Sequence, residues 1–168
     1  MIAFAAAVAL SACGGSSTSG VLTQSDIPSY LGVKANRSAS DAERKREART
    51  PHCTVTGVVV FSVPGKAVKA QSPLVSSAPT VLSADLSCVS VADARSAFNL
   101  IKDGGQAVPG IGNEALLINV GSGDGVGYAI GWRQGDRVSL VSVGGPPNDK
   151  RITAALAELL ARRVAARS

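Results

Sequence analysis

At 168 residues, 45% of them hydrophobic, the chain fits one globular domain with a true core. Aromatic residues make up only 4%, so Val, Leu, Ile and Ala must build that core, which favours helix packed closely on sheet over a large aromatic cavity. The net charge of +5 invites an anionic partner, but no aromatic-basic motif for stacking bases accompanies it, which argues against nucleic acid and leaves anionic lipid headgroups or acidic envelope polymers.

Residues 1–12 are an apolar run with no Lys, Arg, Asp or Glu, closing on Leu10-Ser11-Ala12-Cys13-Gly14. The closing residues resemble the lipobox of bacterial lipoproteins. The resemblance implies that 1–12 is a signal peptide removed after export, and that Cys13 becomes the new N-terminus with acyl chains such as palmitate on it. One departure is the missing basic start, since no Lys or Arg precedes the run. As a helix it is far shorter than the roughly 20 residues that span a bilayer, which argues against a permanent transmembrane anchor. Gly14-Gly15-Ser16-Ser17-Thr18-Ser19-Gly20 follows at once, a composition expected of a flexible tether and of no use after a buried core helix. The expected organisation is signal peptide 1–12, lipidated Cys13 with a tether to residue 20, and one domain over 21–168.

Residues 21–31 carry a hydroxyl, an acid and a proline in Thr23-Gln24-Ser25-Asp26-Ile27-Pro28, a pattern that predicts a short helix ending at Gly32. Residues 34–49 are charged and poor in large apolar side chains; Ser40 and Glu43 allow a capping box, so a solvated helix and a mobile loop both fit. Arg44-Lys45-Arg46 then faces solvent. Residues 54–63 are β-branched between Pro51 and Pro64-Gly65 and predict a strand, and 81–89 predict a second beyond an irregular stretch at 66–80. Ser90 caps a helix over 91–102 with Ala94, Ala97, Phe98 and Ile101 on one face, stopped by Gly104-Gly105.

Beyond the Pro109-Gly110-Ile111-Gly112 turn, residues 115–120 are apolar on both faces and predict a central strand. Segments 126–133 and 136–143 flank Gln134-Gly135, expected as a two-residue hairpin turn with Arg133 opposite Asp136. That register sets Val126, Tyr128, Ile130 and Trp132 opposite Val143, Val141, Ser139 and Arg137, with Gly127, Ala129 and Gly131 on the other face, where a helix can lie close. A last helix over 148–166, capped by Asn148 and Asp149, buries Ile152, Leu156, Leu159, Leu160 and Val164. The expected fold is α+β, an open, mainly antiparallel sheet of about five strands covered by helices on one face.

Three cysteines are an odd number for an exported protein, but giving Cys13 to the lipid leaves Cys53 and Cys88 to pair. A catalytic thiol at Cys53 beside His52 is the weaker reading, because sequence neighbours on a strand point apart and no acid stands close in sequence to orient the ring. His52 is the only histidine, so no His-rich metal site is available and any Ser-His-Asp arrangement must use it. The Gly121-Ser122-Gly123-Asp124-Gly125 segment lacks the Lys-Ser or Lys-Thr of a phosphate loop and reads as a hairpin loop. The acids Asp85, Asp93, Asp103, Glu114, Asp124 and Asp136 show no paired spacing. The best binding surface expected is therefore Tyr128, Trp132 and Arg137, an open indole beside a guanidinium suited to an anionic amphiphile or a protein.

The lipobox, the Leu-Thr-x-x-Asp-Ile-Pro segment, the cysteine pair, Val108-Pro109-Gly110-Ile111-Gly112-Asn113-Glu114-Ala115 and Trp132-Arg133-Gln134-Gly135-Asp136 together resemble small actinobacterial, mycobacterial-type cell-envelope lipoproteins with a sensor-like α+β domain. The resemblance implies a location on the outer face of the cytoplasmic membrane, no cofactor and no catalytic residue. A non-catalytic binding protein for a lipid, glycan or membrane-protein partner is expected. A sensor or interaction subunit of a membrane complex is the second reading and an exported hydrolase the third.

Overall fold

The computed structural model describes residues 20–47, 50–66, 77–101, 104–121 and 125–167. The expected signal peptide, Cys13 and the expected tether to residue 19 lie outside the described residues, as do most of the 66–80 stretch and Ser122 to Asp124. Two single 3-10 turns, Gln24–Asp26 and Ser29–Leu31, open the domain in place of the one short helix expected. Pro28 separates them, and Gly32 ends the second at a φ of 66°, a left-handed conformation that glycine adopts without penalty. The elements that follow are β1 (Lys34–Ala35), α1 (Arg37–Glu47), β2 (Cys53–Ser62), β3 (Thr80–Cys88) and α2 (Val91–Asn99). After them come β4 (Gln106–Ala107), β5 (Glu114–Asn119), β6 (Val126–Gln134), β7 (Arg137–Gly145) and α3 (Ala154–Ala165).

The strands form one antiparallel sheet in the order β1-β2-β3-β7-β6-β5-β4. Its seven strands exceed the five expected because β1 and β4 are two-residue edge pieces with too little sequence to show a period. Residues 115–120 were expected at the centre, yet β5 stands beside the short β4 at the margin. Both its faces are apolar because both faces of the sheet are covered, and this also overturns the expectation of helices on one face only. On one face α3 and the N-terminal segment pack over Phe61, Val81, Ala115, Ile130, Trp132, Val141 and Val143. On the other, Phe98 and Ala94 of α2 meet Leu116, Val138 and Cys88, and Ala39 of α1 meets Val58, Val60, Leu82 and Ala84.

The helix ends follow from local hydrogen bonding. Ser90 caps α2 as its sequence predicts, accepting from the Asp93 N–H. Residues 37–47 are helical, started by Asn36, whose side chain accepts from Ala39 N–H; Ser40 is committed elsewhere, accepting from Val60 N–H of β2. The last helix begins later than expected. Thr153 caps it through Leu156 N–H, while Asp149 binds Arg151 in a turn before it. Leu156, Leu160 and Val164 form its buried stripe, but Leu159 is exposed.

Cys53 and Cys88 stand opposite each other across β2 and β3 and form a disulfide. It closes a loop of about 36 residues, which in the chain-entropy view is a contribution of about 3 to 4 kcal/mol. The Cys53→Ala, Cys88→Ala double variant is expected to lose about 3 kcal/mol in urea denaturation. Asp26 ties the two chain ends together: its carboxylate accepts from Thr23 N–H at 2.7 Å and from Arg167 at 2.7 and 3.0 Å, and Arg163 donates to its carbonyl. Burial opposes its ionisation, but the Arg167 guanidinium and Thr23 outweigh burial and lower its pKa from 3.8 to about 2. A depressed carboxylate stabilises the fold above its unfolded pKa and loses that contribution as pH falls through the folded one. The Asp26→Asn protein is expected to be about 2 kcal/mol less stable than the parent at neutral pH. That gap closes between about pH 4 and pH 2 in acid-denaturation curves, and a gap unchanged across that range would remove Asp26 as its source.

Candidate functional site

Of the three residues expected to form an open surface, the structure buries Trp132 and leaves Tyr128 and Arg137 partly accessible. Trp132 is 1% exposed, in the core under α3, and Tyr128 is half-buried against the same cluster. The hairpin register also differs from the expected one, by two residues. The turn is Gly135-Asp136, with Gly135 at a φ of 60°, and Gln134 pairs with Arg137, so Trp132 stands opposite Ser139 and Tyr128 opposite Val143. A displacement of two keeps every side chain on its predicted face. Burial of the bulky face by the α3 stripe, rather than its exposure, is what the expectation missed. The opposite face does receive a helix terminus closely: a methyl at Gly131 would stand 2.3 Å from Ile101.

The quoted motifs near Trp132 are packing devices. A side chain at Gly112 would meet the Arg133 carbonyl at 2.6 Å and the indole at 3.0 Å, so only glycine allows the turn to lie on Trp132. Asn113 N–H donates to the Arg133 carbonyl, Gly135 N–H donates to the Asn113 side chain, and Arg133 pairs with Glu114 at 2.6 Å. His52 is exposed in the turn before β2 at a φ of 58°, and among the described residues no carboxylate bonds its ring. With Cys53 in the disulfide, the thiol version of a hydrolase is unavailable.

Arg137 instead leads to a group of residues that the sequence reading passed over. Asp85 lies in mid-β3 and is 1% exposed. Its Oδ1 accepts from Ser139 at 2.7 Å, and its Oδ2 accepts from both Thr56 and Arg137. Three donors thus engage the carboxylate, which offsets the cost of burying its charge. Arg137 makes this one bond, through Nη2, and its Nε is buried without a partner among the described residues.

Above the pair opens a cavity of about 490 Å³. Gly20, Val21, Leu22 and Thr23 form one wall, Thr56 to Val59 of β2 another, and Arg44 of α1 reaches it across the sheet margin. Arg44 is exposed and has no ion-pair partner among the described residues. Two further hollows, of about 410 Å³ beside Gly110 and Arg162 and about 380 Å³ beside Lys34 and Gly65, are more open. In the first of these Arg162 is already spent on Glu158 and on the carbonyls of Pro109 and Gly110. Asp85 had a signal in the sequence, a lone acid between Ala84 and Leu86 on an inward-facing strand. Arg44 had none, because its role depends on where α1 is laid against β2.

Removal of the carboxylate in Asp85→Ala leaves Arg137 and Ser139 without their acceptor, while Thr56 keeps the main-chain carbonyl of residue 85, and is expected to cost about 3 kcal/mol, read from the urea midpoint. A loss below about 1 kcal/mol, typical of an exposed pair, would show that solvent replaces these bonds. Among the described residues no helix is long and apolar enough to cross a membrane, and no group of three His, Cys, Asp or Glu side chains is arranged to hold a metal ion. No protein-family model matches this chain, and a search of curated proteins finds no relative.

Proposed function

We propose that the chain is an exported lipoprotein, cut before Cys13 and held there by lipid on the outer face of the cytoplasmic membrane, with a non-catalytic binding role in the cell envelope. The observation that carries this reading is the disposition of the cysteines. Cys53 and Cys88 satisfy each other across β2 and β3, as suits an oxidising compartment. That leaves Cys13, the cysteine of Leu10-Ser11-Ala12-Cys13-Gly14, as the one thiol outside the pair.

A binding role rather than catalysis is supported by chemistry. Asp85 is buried and already accepts from three donors, and His52 has no acid to orient it among the described residues. The partner is a lipid, glycan or membrane protein. Capture by a protein is favoured over a small ligand only if the cavity beside Arg137 stays empty in the isolated material.

Intact mass spectrometry of the protein purified from a bacterial envelope tests the anchor directly. The expected species begins at Cys13, lacks residues 1–12 and carries the added mass of a diacylglycerol, and Cys13→Ala abolishes it. A chain retaining residues 1–12 with no acyl mass would overturn the reading. Any further mass that survives native conditions identifies the bound partner.

A further inference from the structure

Resting on that anchored, binding reading, we propose that the cavity over Asp85 and Arg137 is a site for a singly charged oxyanion, of the phosphodiester kind carried by an acidic lipid. The charge count gives the first argument. Arg44 and Arg137 contribute two positive charges at the cavity and Asp85 one negative, which leaves one positive charge. A guanidinium with unused N–H donors binds phosphate oxygens through paired hydrogen bonds. Arg137 uses Nη2 on Asp85 while about a third of its side chain stays exposed, and Arg44 has no ion-pair partner among the described residues. The carboxylate does not repel the incoming anion at full strength, because Ser139, Thr56 and Arg137 already surround it.

The second argument is the wall. Val21, Val58 and Val59 line the cavity beside the two cations, so an anion carrying an apolar chain gains burial that a bare ion does not. The third is position. Gly20 lines the cavity and touches the ion pair so closely that a methyl there would lie 2.6 Å from the Asp85 carboxyl carbon and 2.8 Å from Arg137 Nη2. Gly20 is seven residues from Cys13, a chain distance of at most about 25 Å when fully extended. A domain anchored at Cys13 therefore keeps this cavity within that reach of the lipid headgroups, where acidic phospholipids are abundant.

The test uses the full chain carrying Cys13→Ala, so that the outcome is independent of acylation. Monomeric dihexanoyl phosphatidylglycerol, dihexanoyl phosphatidylcholine and inorganic phosphate are titrated in separate calorimetric experiments. The expected result is saturable binding of the phosphatidylglycerol, at least tenfold weaker binding of the zwitterionic lipid, and a loss of tenfold or more with Arg44→Gln. Arg44 is exposed and unpaired among the described residues, so this variant keeps the fold where Arg137→Gln would disturb Asp85; Arg137→Lys, which retains the charge and loses the fork, is the second probe.

Inorganic phosphate binding as tightly as the lipid, with the same dependence on Arg44, would support the oxyanion site and assign its source as free phosphate. No saturation by any of the three, or binding that Arg44→Gln and Arg137→Lys leave unchanged, would overturn the proposal. Because Cys13 is absent from these titrations, a failure here leaves the mass-spectrometric evidence for the anchor untouched. Equally, an unacylated chain from the envelope would leave the cavity result standing.

Discussion

The burial of one indole constrains much of this fold. Trp132 sits in the middle of a sheet poor in other large aromatics, and a ring of its size removes about 150 to 250 Å² from water only if something lies across it. Leu156, Leu160 and Val164 of α3 supply that cover, and the turn ending at Gly112 closes the side where any Cβ would collide with the ring. Arg133, next in sequence, is forced to the other face and is itself buried, so Glu114 and the Gly135 carbonyl must receive it. The glycine turn, the Asn113 and Glu114 contacts and the hairpin tip are therefore one packing solution, and the two sequence motifs that carry them are its record.

Burying the wide face under α3 displaces polar chemistry toward the β2 margin. Along β3, Val81 faces the α3 core, Ser83 receives Leu22 N–H, and Asp85 comes two residues further, where α3 no longer covers the sheet. There the N-terminal segment takes over as cover, and it lies as low as it does because Gly20 and Gly57 carry no side chain. A methyl at Gly57 would press on Val21 at 2.8 Å, as one at Gly20 would on Asp85. The cavity is the space this thin cover leaves unfilled between β2 and the ion pair, and its mixed lining of valine and arginine follows from standing at the limit of the core.

How much of this was legible in the sequence depends on the range of the interaction that decides each feature. The long strands and the helices over 91–99 and 154–165 showed through their side-chain periods, and the Ser90 cap through a contact three residues long. The disulfide followed from counting cysteines. The side-chain faces of the hairpin were readable, since they depend on a period of two. Its pairing was not, because Gln134-Gly135 and Gly135-Asp136 are equally good turns on local grounds and long-range packing chose between them. Trp132 was assigned to an open surface because nothing along β6 tells which face a helix twenty residues later will cover. Arg44 illustrates the same limit from the other side: within its own helix it is one more solvated cation, and only the placement of α1 against β2 brings it to Thr56 and Arg137.

The cavity is mechanically joined to the end of the chain. Its upper wall, Gly20 to Thr23, continues into Asp26, and Asp26 is bound to Arg163 and Arg167 at the end of α3. Arg167 also donates to the Val21 carbonyl, so the last guanidinium of the sequence holds the wall residue itself. Leu22 N–H is fixed to Ser83 of the central sheet at 3.2 Å. From residue 20 onward the segment is thus held in turn by Arg167 at Val21, by β3 at Leu22 and by the charge pair at Asp26. Occupation of the cavity would therefore act on the same few residues that fasten the N-terminal segment to β3 and α3.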